Sequence, residues 1–105
     1  MDYLDEEIIQ EIKDRIIKNY DPQKIILFGS YADGTPHKDS DIDLLIIKES
    51  NLPPYKRARE LRKILSDIIF PKDIIILNKS EFDRYKDVKG SFAYEISKKG
   101  RVLYG

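Results

Sequence analysis

The sequence has no cysteine and a single histidine, which removes disulfides, thiolate metal sites and thiol nucleophiles and leaves a metal only oxygen ligands or His37. It has no excess of either charge, with 19 basic and 19 acidic residues. No overall field therefore draws the chain onto DNA, RNA or anionic lipid, and direct nucleic-acid binding is not expected. No apolar run approaches the roughly 20 residues of a membrane helix, and the start, Met1-Asp2-Tyr3-Leu4-Asp5-Glu6-Glu7, is acidic where a targeting segment would be basic. The expectation is a cytoplasmic protein. With 105 residues and 41% apolar content, one domain covering 1–105 with one core is predicted.

Leu4, Ile8, Ile12, Ile16 and Tyr20 recur every four positions, flanked by Ile9 and Ile17. This is the stripe of an amphipathic helix, capped by Asp2 or Asp5 and ended by Asp21-Pro22. Lys24 to Phe28 reads as a strand buried on both faces and stopping at Gly29. Ser30 to Asp39 holds at most one helical turn before a loop rich in breakers. Ile42 to Ile47 forms a second strand interrupted only by Asp43. Pro53-Pro54 opens a helix whose Ala58, Leu61, Leu65 and Ile68 face the core, while Lys56, Arg57, Arg59 and Arg62 face solvent. Asp73 to Leu77 is a third strand. Ser80 caps a short helix through Tyr85, another helix around Phe92, Ala93 and Ile96 ends near Gly100, and Arg101 to Tyr104 makes an edge strand. Strands alternating with helices and no internal repeat predict one α/β unit.

The stretch with chemical content is Gly29-Ser30, ten intervening residues, then Asp41-Ile42-Asp43. Alternation along a strand puts Asp41 and Asp43 on one side, with Cα atoms roughly 6.5–7 Å apart. At an effective dielectric near 20 their repulsion amounts to roughly 3 kcal/mol, which a cation would relieve. Oxygen donors at this spacing suit Mg²⁺, which completes its octahedron with water and phosphate. Upstream, Gly29 lets the backbone approach a ligand, and Ser30 offers hydroxyl and amide donors to phosphate. A triphosphate held this way exposes its α-phosphate to in-line attack, with two metals activating the hydroxyl and neutralising the leaving pyrophosphate. Asp73 is the candidate third carboxylate, completing the metal site or serving as base. Gly29 alone would be an ordinary turn residue and the aspartates alone a solvated strand start; their combination carries the reading. His37 is expected to be exposed, and Tyr31 either packs under the cradle or touches the nucleotide.

Phe28-Gly29-Ser30 through Asp41-Ile42-Asp43-Leu44-Leu45-Ile46 resembles the hallmark motif of the polymerase-β nucleotidyltransferase superfamily. The length and the tail (Gly90, Ser91, Phe92, Tyr94, Glu95, Ile96, Gly100, Val102, Leu103, Tyr104) are similar to the minimal nucleotidyltransferases, so the resemblance covers nearly the whole chain. It implies a polymerase-β-like fold, a small mixed sheet with helices on one side. It also implies phosphate at Gly29 and Ser30, metal at Asp41, Asp43 and Asp73, and ATP with Mg²⁺. Its members are typically antitoxins paired with HEPN-domain toxins, and some transfer AMP to a tyrosine of the toxin and silence its ribonuclease activity. The expected function is adenylylation of such a partner. The alternatives are an antitoxin that inhibits by binding alone and a transferase acting on a small-molecule hydroxyl. A homo- or hetero-oligomer is left open.

Overall fold

In the computed structural model, which describes residues 3–105 and side chains from residue 5 onward, helix α1 runs Tyr3–Tyr20. Asp2 and the Leu4 side chain, cited above as a cap and as the first apolar residue of the stripe, lie outside what is described. Asp5 does not cap the helix, because α1 begins before it; Asp5 and Glu6 sit in the first turn, where negative charge meets the positive end of the helix dipole. Ile9, Ile12, Ile16 and Tyr20 are buried as the spacing predicts. The helix stops where Asp21 takes a left-handed φ of 50° before Pro22. The Lys48 ammonium donates to the carbonyls of Tyr20 and Asp21 at 2.7 and 3.1 Å, satisfying acceptors that the helix end leaves open.

The remaining elements are β1 (Lys24–Phe28), α2 (Ser30–Asp33), β2 (Ile42–Ile47), α3 (Pro54–Ile64), β3 (Lys72–Leu77), α4 (Lys79–Tyr85), α5 (Phe92–Lys99) and β4 (Arg101–Tyr104). The strands form one mixed sheet in the order β3-β2-β1-β4. β1 is antiparallel to both β2 and β4, and β2 is parallel to β3. β4 closes one edge as predicted.

Helices cover both faces of this sheet, which corrects the expectation of helices on one side. Ile25, Leu27, Ile42, Leu44, Ile46, Ile74 and Ile76 point towards α1 and α3. The intervening Ile26, Leu45 and Ile47 point towards Phe82 of α4 and Ala93 and Ile96 of α5. The reason lies in the strands: both parities are apolar, so either bare face would expose a row of isoleucines.

Two helix boundaries differ from the sequence reading. Helix α3 ends at Ile64 with Leu65 as its cap, and Ile68 falls in the following turn, where the Lys72 ammonium binds the carbonyls of Ile68 and Phe70 at 2.6 and 2.9 Å. That turn returns the chain to the start of β3. Helix α4 is capped by Asn78, not Ser80, and Glu81 reaches back to accept the Asn78 amide at 2.7 Å.

Arg57 also departs from the solvated face assigned to it, being only 6% exposed. Its guanidinium donates to the Leu52 carbonyl at 2.9 Å, the Ile76 carbonyl at 3.3 Å and the Glu81 carboxylate at 2.6 Å. One side chain thereby joins α3, the outer edge of β3 and the capping box of α4, using the fork of donors that arginine alone supplies.

Candidate active site

Register and alternation bring the site together. The Ile42 amide bonds the Pro71 carbonyl at 2.9 Å, so β2 and β3 start side by side. In their parallel pairing Asp43 stands opposite Asp73, on strands about 4.8 Å apart. Both residues share the parity of Leu45, Ile47, Ile75 and Leu77, hence the face covered further along by α4 and α5. Asp41 stands one residue before β2 begins. Asp41 and Asp73 are exposed and Asp43 is half-buried.

On the other side of Asp43 lies Phe28, its partner in the antiparallel pairing with β1, and then Gly29. Gly29 adopts φ 76° and ψ −157°, a region open essentially to glycine alone. A Cβ at Gly29 would also fall on the Asp43 carboxylate, its carbon 3.2 Å away. The backbone conformation therefore requires glycine here, whereas the close approach would only oblige the Asp43 carboxylate to swing aside. The Gly29 carbonyl accepts the amides of Ala32 and Asp33, each at 3.1 Å, which winds Ser30–Asp33 into the single turn of α2. Ser30, half-buried, leads that turn, one residue after the glycine that meets Asp43. Tyr31 resolves to the packing role: it is 4% exposed and meets the Phe70 ring edge-on at 5.9 Å, while burial pushes its hydroxyl pKa up, with Asp5 and Asp41 adding to the shift.

Among the described residues, none of the ion pairs includes Asp41, Asp43 or Asp73. Lys72, adjacent in sequence to Asp73, directs its ammonium to the Ile68 and Phe70 carbonyls and not to these carboxylates. The Asp43 carboxyl is accordingly held above the ordinary aspartate range, first by burial, then by the charges of Asp73 and Asp41. Among the described residues no three of His, Cys, Asp or Glu are gathered into a ready metal sphere. Mg²⁺ is ordinarily held by one or two carboxylates plus substrate phosphates rather than by an all-protein cage. An oxygen-only donor set beside a glycine that admits a ligand fits that mode.

His37 is exposed, as expected. Sequence reasoning missed Ser40, which is 7% exposed: its hydroxyl accepts the His37 amide at 2.9 Å and its amide bonds the His37 carbonyl at 2.9 Å. This turn fixes the loop immediately before Asp41; serine's habit of bonding nearby backbone was its only signal. Arg62 borders a hollow of about 270 Å³ that Asp73 also lines. A larger hollow, about 490 Å³, lies by Lys48 and Tyr20 at the far end of β2, away from the carboxylates.

Comparisons with known proteins bear on the family and the fold. Residues 10–105 match the family described as Polymerase beta, Nucleotidyltransferase. A candidate protein adenylyltransferase of Methanocaldococcus jannaschii is 36% identical over 96 residues, covering 90% of this chain and 93% of the relative. The protein adenylyltransferase MntA of Shewanella oneidensis is 36% identical over 70 residues, covering 67% of this chain and 48% of MntA. A toxin–antitoxin crystal structure with AMP-PNP superposes with a TM-score of 0.59 at 30% identity, covering 95% of this chain and 73% of that one. With its glycine-serine turn set against paired aspartates at the start of two parallel strands, the chain belongs to the polymerase-β nucleotidyltransferase family and is a nucleotidyltransferase.

Proposed function

We propose that this single domain transfers AMP from ATP to a hydroxyl, that of a tyrosine, on a partner HEPN-domain toxin in the cytoplasm, and so acts as the antitoxin of a toxin–antitoxin pair. The observation that carries the reading is the uncompensated set of Asp43, Asp73 and Asp41 against a Gly29 whose backbone conformation favours glycine alone. The relatives named as protein adenylyltransferases and the toxin–antitoxin neighbour with AMP-PNP support the choice of donor and acceptor. No helix among the described residues is long and apolar enough to cross a membrane.

In this reading Gly29 opens the backbone to the triphosphate, and the Ser30 hydroxyl and amide donate to its phosphate oxygens. Asp41, Asp43 and Asp73 would hold Mg²⁺, which would neutralise charge on the pyrophosphate and acidify the acceptor hydroxyl. The acceptor oxygen attacks the α-phosphorus, a new P–O bond forms, and the bond to the β-phosphate oxygen breaks. Pyrophosphate leaves, and the hydroxyl proton passes to a carboxylate, with Asp73 open to solvent to receive it.

Intact-mass measurement of the HEPN partner, co-expressed with the natural chain or with Asp41→Asn/Asp43→Asn, tests this. Whole AMP units gained only with the natural chain are expected. A partner that stays unmodified yet is neutralised equally by both versions would replace the transferase with an antitoxin acting by occlusion.

A further inference from the structure

The face of the sheet that carries Asp43 and Asp73 does not end at the carboxylates. Ile75 and Leu77 follow on the same face of β3 and remain half-buried, at steps of about 6.7 Å along the strand. Beyond them α4 and α5 leave a hollow of about 410 Å³, lined by Leu77, Arg84, Tyr85, Ser91 and Phe92. Phe92 is 50% exposed and Tyr85 48% exposed. Only part of each ring is covered by packing, and the rest stands open to the hollow.

Phe92 is also tied to the site. Its ring meets Phe28 edge-on at 5.4 Å between centroids, and Phe28 is the strand partner of Asp43. It is held firmly, because Phe92 opens α5 and the preceding Ser91 hydroxyl donates to the Tyr85 carbonyl at 2.7 Å while accepting the Tyr94 amide at 3.0 Å. A fixed, half-exposed aromatic ring one residue removed from the metal carboxylates is a stacking platform, and the π-face of a nucleobase is the chemistry that fits it.

We propose that the base of the nucleoside triphosphate packs on Phe92, over the Ile75–Leu77 stretch of β3, with its phosphates at Gly29. The assignment rests on the reading of Gly29, Ser30, Asp41 and Asp43 as the triphosphate and metal site. It makes Phe92 the residue that separates a nucleotide from bare polyphosphate: the ribose crosses the first step from Asp73 towards Ile75, and the base reaches the hollow.

The chain has no tryptophan, so Phe92→Trp introduces the sole indole as a reporter at the proposed contact. With Mg²⁺ present, ATP should quench it, whereas inorganic tripolyphosphate should leave it unchanged while competing with ATP. By calorimetry, Phe92→Ala and Phe92→Leu should each weaken ATP about tenfold or more and leave tripolyphosphate affinity intact, with Phe92→Tyr near the parent. The leucine keeps the apolar packing on Phe28, so a loss shared by both variants traces to the ring and not to misfolding. ATP affinity indifferent to Phe92, or equal losses for ATP and tripolyphosphate, overturns the platform alone. A parent chain that binds neither ligand would overturn the phosphate and metal site together with it. Partner binding that falls in Phe92→Ala while ATP binding holds would make the ring a protein contact instead and end the proposal.

Discussion

The two ends of the same pair of parallel strands are built on opposite electrostatics. Where β2 and β3 begin, Asp43 faces Asp73 with Asp41 alongside, none of the three in an ion pair among the described residues, and the Asp43 carboxyl is held high. Where β3 ends, Glu81 accepts from Arg57 and from the Asn78 amide, and its carboxyl is held low, chiefly by the Arg57 hydrogen bond. One end stores repulsion for a ligand to relieve, and the other spends its charges on holding helices to the sheet. Function and stability therefore separate along about six residues of strand, and substitutions at the two ends should fail in different ways.

The largest effect belongs to the charged end. Asp43→Asn keeps the shape of the side chain and removes a metal-binding charge; AMP transfer should fall at least about a hundredfold, since a preorganised charge-stabilising group is typically worth that much or more. A single-turnover assay with labelled ATP and the partner protein reads it. If transfer survived within a few-fold, Asp43 would be a surface carboxylate and the contrast between the two ends would lose its functional half.

The paired end should respond in stability instead. Arg57→Ala takes the donor from the Leu52 and Ile76 carbonyls and the ion pair from Glu81, which is part-exposed and keeps the Asn78 amide, and a cost of about 1–2 kcal/mol is expected, most of it from the carbonyls left without a partner. Urea titration should show a lower midpoint with an unchanged slope, and activity per folded molecule should hold. A variant as stable as the parent would mean that Arg57 is replaceable by water at the edge of β3.

How legible each end was in the sequence follows from how local its signals are. The turn at Gly29 and the aspartate pair sit within fifteen residues of one another, directly flanked by β1 and β2, and the apolar runs and breakers act over the same short range, so their placement came directly from pattern. Asp73 was found because it begins an apolar run. Arg57 was hidden: beyond the nearby Leu52 carbonyl, its partners are the Ile76 carbonyl and Glu81, 19 and 24 residues away, and its neighbours Lys56 and Arg59 are exposed. The cap at Asn78 was missed for a related reason, since Ser80 is an equally good cap by type and only the reach of Glu81 decides between them. The cover on the second sheet face was missed because apolar residues at both parities state that two faces are buried without stating by what.

The smallest predicted effect is the sharpest, because the two ends should give opposite signs with pH. Glu81 has a folded pKa below its unfolded value, so its contribution to stability is present above the unfolded value and is lost as pH falls through the folded one. Asp43 has a folded pKa above its unfolded value. In metal-free buffer its penalty is full above the folded value and disappears as pH falls below the unfolded one, since the folded chain takes up the proton first. Asp43→Asn should therefore stabilise the metal-free protein at neutral pH by about 1 kcal/mol, seen as a rise of roughly 4–8 °C in melting temperature, and the gain should vanish in acid. Mg²⁺ with ATP should narrow the gap from the other side, raising the melting temperature of the parent more than that of the variant, because binding to the folded state alone stabilises it by mass action. Melting curves of both proteins across the acid range, with and without Mg²⁺ and ATP, read both effects. A variant no more stable than the parent at neutral pH would show that the carboxylates at the start of β2 and β3 are solvated well enough to need no cation, and the repulsion argued from their pairing would be absent.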